Sequence, residues 1–384
     1  MADQVPTSEA PVPNTVRSAR QSAPPPGVAL CLSGGGYRAM LFHLGGLIRL
    51  NQLGLLRGLA RVSSVSGGSI TAAVLGLHWS SLTWDDHDRS PDLDALVIRP
   101  IFDFGGCSID MQCILKGLLT PGRSVGHYVA REYDRHLFHG ATLQDLPDHQ
   151  HAPTFVINAT NVQTGKLVRF SRDYMADYTP GMWRPPTITL ANAVTASSAF
   201  PPFFSPHRLA PSGTYDEGGV PPLHGKEFRK RLALSDGGVY DNLGLQTALS
   251  ACDTVLVSDG GAAMAAQVRQ PSDWLRHTLR ITEVIDSQVR DLRKRELIED
   301  YKGGVRKGTY WSIVSDTDSY GLPDPLTFDH EPADYPANVP TRLTGLSERT
   351  RRDLVRWGYI ICDTALRTWV VPGTPKPPPG DVPS

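Results

Sequence analysis

The stretch Ala29-Leu30-Cys31-Leu32-Ser33-Gly34-Gly35-Gly36-Tyr37-Arg38 decides how the rest of this chain is read. An apolar run stops at three consecutive glycines. Apolar residues at Met40, Leu41, Leu44, Leu47, Ile48 and Leu50 then recur at roughly the helical period. The pattern predicts a buried strand over 28–32 and a helix over 37–55. The turn between them presents main-chain N–H groups at a helix N-terminus, a place suited to negative charge. Two charges are candidates: a nucleotide phosphate, or the oxyanion of an acyl-transfer transition state.

Working outward, Leu-Ala-Arg-Val-Ser-Ser-Val over 59–65 reads as a second strand. Gly67 and Gly68 follow, and Ile70, Ala72, Ala73, Val74 and Leu77 suggest another helix. The order strand-helix-strand-helix implies a parallel α/β sheet. Further strands are expected over 154–159, 167–171, 232–235 and 254–258, with Gln163-Thr164-Gly165 joining the first two. Helices are expected over 188–199, from about Leu243, over 273–300 and over 347–369. Residues 81–150 show few strong periods and read as an inserted cap or lid. Residues 1–27 carry no apolar leader and are rich in Pro, Ser and Ala, so they read as a disordered arm. The proline-rich 371–384 reads as a disordered tail.

A chain of 384 residues with 40% hydrophobic and 20% charged residues can bury a large core. A net charge of -1 excludes a bulk electrostatic drive toward nucleic acid. The charge is unevenly spread. No Asp or Glu occurs between Glu9 and Asp85, while Arg17, Arg20, Arg38, Arg49, Arg57 and Arg61 do. The glycine turn therefore sits in a locally basic segment. Five cysteines without metal-ligand spacing fit a reducing compartment, with Cys31 and Cys252 as core residues. No apolar stretch reaches the ~18 residues that span a bilayer. A cytoplasmic location with at most peripheral lipid contact is expected.

A nucleophile is suggested by Ser64-Val65-Ser66-Gly67-Gly68-Ser69, where a strand stops at a serine and glycines open a helix. Such a turn pushes the serine out of the sheet, as in a nucleophile elbow. Ser64 stands where that pattern has its first glycine. The competing reading of Ser66 is a helix N-cap, and Ser63, Ser64 and Ser69 are rival nucleophiles. A base is suggested by Ser235-Asp236-Gly237-Gly238, which leaves a carboxylate at a strand end. Asp259-Gly260-Gly261 repeats the pattern. Ligand sites of open α/β sheets gather at the strands' C-terminal edge, so Ser66 and Asp236 can meet there. His43 falls inside the first helix among apolar neighbours and reads as structural. A Ser-Asp dyad is the simplest set.

These blocks resemble the patatin-like phospholipases, including their cytosolic phospholipase A2 branch. The resemblance rests on Ser33–Met40, Val65–Ser69 and Asp236–Asn242. A fourth block, Ala196-Ser197-Ser198-Ala199-Phe200-Pro201-Pro202-Phe203-Phe204, looks like the family's segment before the aspartate. The resemblance implies a three-layer α/β/α fold around a mainly parallel sheet, with 28–370 as the catalytic domain. It implies acylation of Ser66 and proton acceptance by Asp236. Gly34, Gly35 and Gly36 would form the oxyanion hole, and Arg38 would contact a substrate phosphate. Gly67 and Gly68 are the elbow glycines, and Gly237 and Gly238 follow the base. The activity implied is hydrolysis of fatty-acyl esters of glycerophospholipids or lysophospholipids at a membrane surface. No calcium-loop pattern is visible, so neither metal nor cofactor is expected.

Three rivals stand beside this reading. Gly34-x-Gly36-x-x-Ala39 fits a dinucleotide fingerprint, but the acidic residue about 20 positions on is missing. A general serine esterase would add a histidine to the set. A catalytically silent lipid-binding protein is the third. Lys226, Arg229, Lys230 and Arg231 form a basic cluster that could draw the chain to anionic lipid.

Overall fold

Strand β1 (Val28–Leu32) sends alternate side chains to two faces, and those faces define the layers. Leu30 and Leu32 join one hydrophobic cluster, while Ala29 and Cys31 join another. The computed structural model describes residues 25–383, apart from 121–123, 203, 217–218, 220, 222, 263, 265, 270–271 and 329–334. Most of the expected N-terminal arm, and Phe203 of the fourth block, lie outside the described residues.

Five strands run parallel in the order β11 (Lys307–Ser312), β10 (Thr254–Asp259), β1, β2 (Leu59–Val65) and β3 (Thr154–Asn161). This parallel block is the centre of the large sheet. Beyond it β4 (Lys166–Phe170), β5 (Met175–Asp177), β6 (Gly181–Arg184) and β8 (Thr214–Asp216) continue antiparallel. Strand β9 (Leu232–Asp236) pairs antiparallel with both β3 and β7 (His207–Leu209). The strand ending at Asp236 therefore does not extend the parallel set. It reaches the C-terminal end of β2 from the opposite direction.

The helices named below are α1 (Gly36–Gln52), α2 (Gly67–His78), α3 (Asp110–Leu119), α4 (Val125–Tyr133), α5 (Leu190–Ser197), α6 (Trp274–Lys302) and α7 (Glu348–Trp369). Helices α1, α2 and α7 cover the face that carries Leu30, Leu32, Val62, Leu256 and Trp311. The short helix Leu245–Leu249 and Leu297 of α6 cover the face with Ala29, Cys31, Val255 and Val257. The result is the expected three-layer α/β/α arrangement. The segment 81–150, in which few periods are legible, is largely helical. Its helices are too short to display a period, and Val97, Ile101, Phe104, Tyr133 and Leu143 join the main core. Residues 371–383, read as a disordered tail, fold back on the molecule. Arg367 donates to the Thr374 carbonyl and Gln52 to the Asp381 carbonyl. Prolines lower the entropy that such a tail loses on docking.

Helices α1 and α7 cross at glycines. A Cβ on Gly358 would collide with the Phe42 carbonyl, and one on Gly45 with the Val355 carbonyl. The close crossing lets buried Arg49 reach buried Asp363, Nη2 to Oδ1 at 2.7 Å. Because α1 begins at the glycine turn, this crossing also seats the site. Gly358→Ala should destabilise the protein by ~1–3 kcal/mol, the usual range for overpacking. The shift of the denaturant midpoint at unchanged slope measures it.

Candidate active site

Ser66 sits just past the end of β2 with φ 51° and ψ −120°, a backbone state that a side chain strongly disfavours. Surrounding bonds hold it there. Its N–H donates to Ser197 Oγ at 2.9 Å, its carbonyl accepts from Ser69 N at 2.8 Å, and Gly68 N donates to the Ser33 carbonyl at 3.2 Å. The two elbow glycines are needed for close approach. A Cβ on Gly67 would strike the Gly36 carbonyl, and one on Gly68 the Leu32 carbonyl. The two strand-to-helix turns thus touch backbone to backbone.

The Ser66 hydroxyl makes no capping bond to α2. It lies close enough to the Asp236 carboxyl to favour its charged form. The rival serines are committed elsewhere. Ser63 donates to the Gly244 carbonyl at 2.6 Å, Ser64 to the Val156 carbonyl at 3.3 Å, and Ser69 contacts Ser64 and Ser197. Ser64 is fully buried, so a satisfied serine fills the place of the pattern's first glycine.

Asp236 arrives by a different route. Strand β2 pairs with β3 up to Val65–Asn158, and β9 takes over the same side of β3 from Asp236–Ala159. The two strands therefore meet end to end on β3, which places Ser66 beside Asp236. The Asp236 N–H donates to the Ala199 carbonyl at 2.9 Å, and its own carbonyl accepts from Thr160 Oγ1 at 2.8 Å. Gly237 N donates to the Ser197 carbonyl at 3.0 Å, and Gly238 N to Asp236 Oδ1 at 2.7 Å. Burial pushes the carboxyl pKa up to about 7, and the Gly238 N–H and Ser66 hydroxyl hold it from rising further. Asp259 is engaged differently, accepting from Gly261 N at 2.8 Å and Tyr310 Oη at 2.6 Å.

Of the three turn glycines, Gly34 is not a free donor. Its N–H is spent on the Asn242 carbonyl at 3.1 Å, a partner from 208 residues downstream. The N–H groups of Gly35, Gly36 and Gly67 have no acceptor among the described residues. Gly35 (φ 143°) and Gly36 (φ 59°) hold the positive-φ turn that points them outward. They stand at the N-terminus of α1, whose first turn carries no acidic residue.

Arg38 is 2% exposed and neither open to solvent nor simply paired. Its Nε donates to the Gly260 carbonyl at 2.9 Å and its Nη1 to the Val339 carbonyl at 2.6 Å. Burial lowers its pKa to about 10, opposed by the charge of Asp259. Nη2 stands 3.1 Å from where a Gly35 Cβ would lie and has no acceptor among the described residues. His43 is pinned between Ser258 Oγ at 2.8 Å and the Ser33 carbonyl at 3.0 Å, and burial drives its pKa down to about 4. It is structural. Reading the sequence missed Ser197, whose hydroxyl ties Ser66 to the Asn158 carbonyl at 2.6 Å, and Asn242. The serine of the fourth block was the available signal.

The profile of one family, described as "Patatin-like phospholipase", matches residues 30–249. Among solved structures the chain is similar to human GIVD cytosolic phospholipase A2, with 15% identity and a TM-score of 0.50 over 91% of this chain and 61% of that one. The same human protein bound to methyl gamma-linolenyl fluorophosphonate gives 16% identity and a TM-score of 0.48, over 91% of this chain and 59% of that one. VipD from Legionella pneumophila gives 17% identity and a TM-score of 0.34, over 88% and 66%. At these identities the likeness is one of fold, and this chain spans about three fifths of the human protein's length. Comparison with curated proteins finds no match.

The Asp236 shift has a thermodynamic consequence. Its folded pKa of about 7 exceeds its ordinary 3.8, so the native state favours the protonated form. The stability it contributes is present below pH 3.8 and is lost as pH rises through about 7. Asp236→Asn removes the buried charge. It should stabilise the protein by about 2–4 kcal/mol at about pH 8 and by little at about pH 4, as denaturant unfolding at the two values will show.

Proposed function

The chain belongs to the patatin-like phospholipase family, and on that premise we propose that it hydrolyses fatty-acyl esters of glycerophospholipids or lysophospholipids through an acyl-enzyme on Ser66. One observation carries the reading: β2 and β9 meet end to end on β3, which sets the strained, strand-terminal Ser66 beside a buried carboxyl, Asp236.

The Asp236 carboxylate takes the Ser66 proton as Oγ attacks the acyl carbonyl. The carbonyl oxygen becomes an oxyanion facing the N–H groups of Gly35 and Gly36, joined by Gly67. The positive ends of α1 and α2 favour that charge. As the tetrahedral intermediate collapses, Asp236 returns the proton to the departing alcohol oxygen. Water then loses a proton to Asp236 and attacks the acyl-enzyme, and Ser66 regains its proton as the fatty acid leaves. A base with pKa about 7 is well matched to both half-reactions near neutral pH. Arg38 clamps the glycine turn through Gly260 and Val339, leaving Nη2 as the donor able to meet a substrate phosphate.

A histidine triad finds less support. No histidine is among the groups that perturb Asp236, and His43 has both ring nitrogens engaged. No helix among the described residues is long and apolar enough to cross a membrane. In this reading the substrate is met peripherally, at the cytoplasmic surface of a membrane.

Incubation with defined phospholipids, followed by mass analysis of the fatty acids released, should show hydrolysis that Ser66→Ala and Asp236→Ala each reduce at least about a thousandfold. A fluorophosphonate should label the wild type and leave Ser66→Ala unlabelled. For wild type, kcat/KM should fall as pH drops below about 7, where Asp236 is protonated. Retention of turnover in Ser66→Ala would sink the proposal.

A further inference from the structure

Three consecutive residues at the end of α5, Ser197-Ser198-Ala199, hold both Ser66 and Asp236. The chain leaves the helix here, so these carbonyls have no helical partner. Gly237 N donates to the Ser197 carbonyl at 3.0 Å, and Asp236 N to the Ala199 carbonyl at 2.9 Å. The Ser197 hydroxyl accepts from Ser66 N at 2.9 Å. Ser198, the residue between them, is gripped from a different part of the chain. Tyr133 Oη lies 3.2 Å from Ser198 Oγ. Ser198 Oγ spends its only proton on the Val194 carbonyl at 2.7 Å, so the Tyr133 hydroxyl is the donor. Burial pushes the Tyr133 phenol above its ordinary pKa, against the pull of the Ser198 bond, and the charge of Asp236 adds to the rise. The phenol therefore stays protonated and able to donate.

Tyr133 is fully buried on α4, which belongs to the segment 81–150 and packs beside α3. Its ring meets Phe104 edge-on, with centroids 5.9 Å apart, and Phe104 meets Tyr37 edge-on at 5.3 Å. Tyr37 directly follows the glycine turn, and its N–H donates to the Arg342 carbonyl at 3.0 Å. Rings from three parts of the chain thus brace the phenol from the side of the glycine turn. The competing reading is that the Tyr133 hydroxyl merely finds a partner in the core, as buried phenols do. The place of that partner favours a larger role. Ser198 lies between the groups that hold Ser66 and Asp236, and no other side chain donates to its hydroxyl among the described residues. Tyr128 on the same helix spends its hydroxyl on Thr120 Oγ1 at 2.9 Å instead.

We propose that Tyr133 is a positioning residue for the Ser66 chemistry: by donating to Ser198 it fixes the turn 197–199, and with it the separation of Ser66 Oγ from the Asp236 carboxyl. It acts through the backbone of that turn and passes no proton to or from the substrate. The proposal rests on the acyl-enzyme reading for the reaction it serves. On this account the segment 81–150 braces the site from within instead of closing over it.

The test compares the full chain as wild type, Tyr133→Phe, Ser198→Ala and the double variant on p-nitrophenyl butyrate, a monomeric ester. The rate of labelling by an alkyl fluorophosphonate is followed in parallel. Tyr133→Phe keeps the ring and its packing on Phe104. Its kcat should fall about tenfold or more while KM stays within about twofold, because small misplacements of reacting groups cost this much. The labelling rate should fall by a similar factor. Ser198→Ala breaks the same bond from the other side, so a fold defect in one variant cannot decide the outcome. The double variant should lose no more than the larger single loss. In Tyr133→Phe the acid limb of kcat/KM should also move to lower pH. A loosened turn lets water reach Asp236 and draws its pKa from about 7 toward the ordinary 3.8. Tyr128→Phe should keep the wild-type kcat. Wild-type kcat and labelling in both single variants overturn the proposal, as does an additive loss in the double variant. A fall in kcat with the acid limb unmoved, or one shared by Tyr128→Phe, marks a general loss of structure and overturns it too. If wild type neither turns over nor labels, the acyl-enzyme reading fails and the positioning role with it. If wild type is active and Ser66→Ala is silent, a fully active Tyr133→Phe condemns the positioning role alone.

Discussion

The site depends on strand β3 serving as a shared template. Its residues up to Asn158 pair with β2, and from Ala159 they pair on the same side with β9. One strand rises to Val65 and the other descends to Asp236, so Ser66 and Asp236 from distant parts of the chain end up beside each other. The β3–β9 pairing spans only three residues, and a slip of one would turn the Asp236 side chain to the other face. Side chains reinforce the register. Thr160 holds the Asp236 carbonyl, Asn158 Nδ2 reaches Ser63 Oγ and the Ser64 carbonyl at 3.0 Å each, and Ser197 bonds the Asn158 carbonyl. These buried polar residues belong to the frame that fixes Ser66 beside Asp236.

The second requirement is that two helix N-termini converge without a competing anion. Contact between the turns at Gly36 and Gly67 brings the starts of α1 and α2 together. Neither first turn contains an acidic side chain. Both turns lie within the stretch from Glu9 to Asp85 that contains no Asp or Glu. A carboxylate there would compete with the developing oxyanion for the same N–H groups. The carboxylate we propose as the base, Asp236, comes instead from β9, and its burial keeps its proton affinity high. The strain at Ser66 persists because backbone contacts and the Ser197 hydroxyl leave the turn no alternative conformation.

What was legible in the sequence was local. A glycine triplet between an apolar run and a helical period places the first turn. A serine before paired glycines places the second. An Asp-Gly-Gly after an apolar strand places the base. The long helix α6 and the closing helix α7 show through their periods. What escaped was set by distant partners or short elements. Nothing near Gly34 announces that Asn242 takes its N–H, and nothing near Arg38 announces the carbonyls of Gly260 and Val339. The direction of β9 follows from its pairing with β3 and β7. Strands β5 to β8, of three or four residues each, carry too few positions to show alternation. In β11, Gly308 lies against the Val255 backbone and interrupts the apolar pattern that would mark a buried strand.

The loop after β10 joins the glycine turn to the outer surface. Arg38 grips it at the Gly260 carbonyl from the α1 side, and Arg290 grips it at the Ala262 carbonyl from α6. Gly260 in turn packs against Ala39, and its N–H is held by Ser33 Oγ at 2.8 Å. The charge of Asp259 opposes the lowering of the Arg38 pKa by burial. Two arginines therefore hold a short loop between the glycine turn and the exposed helix.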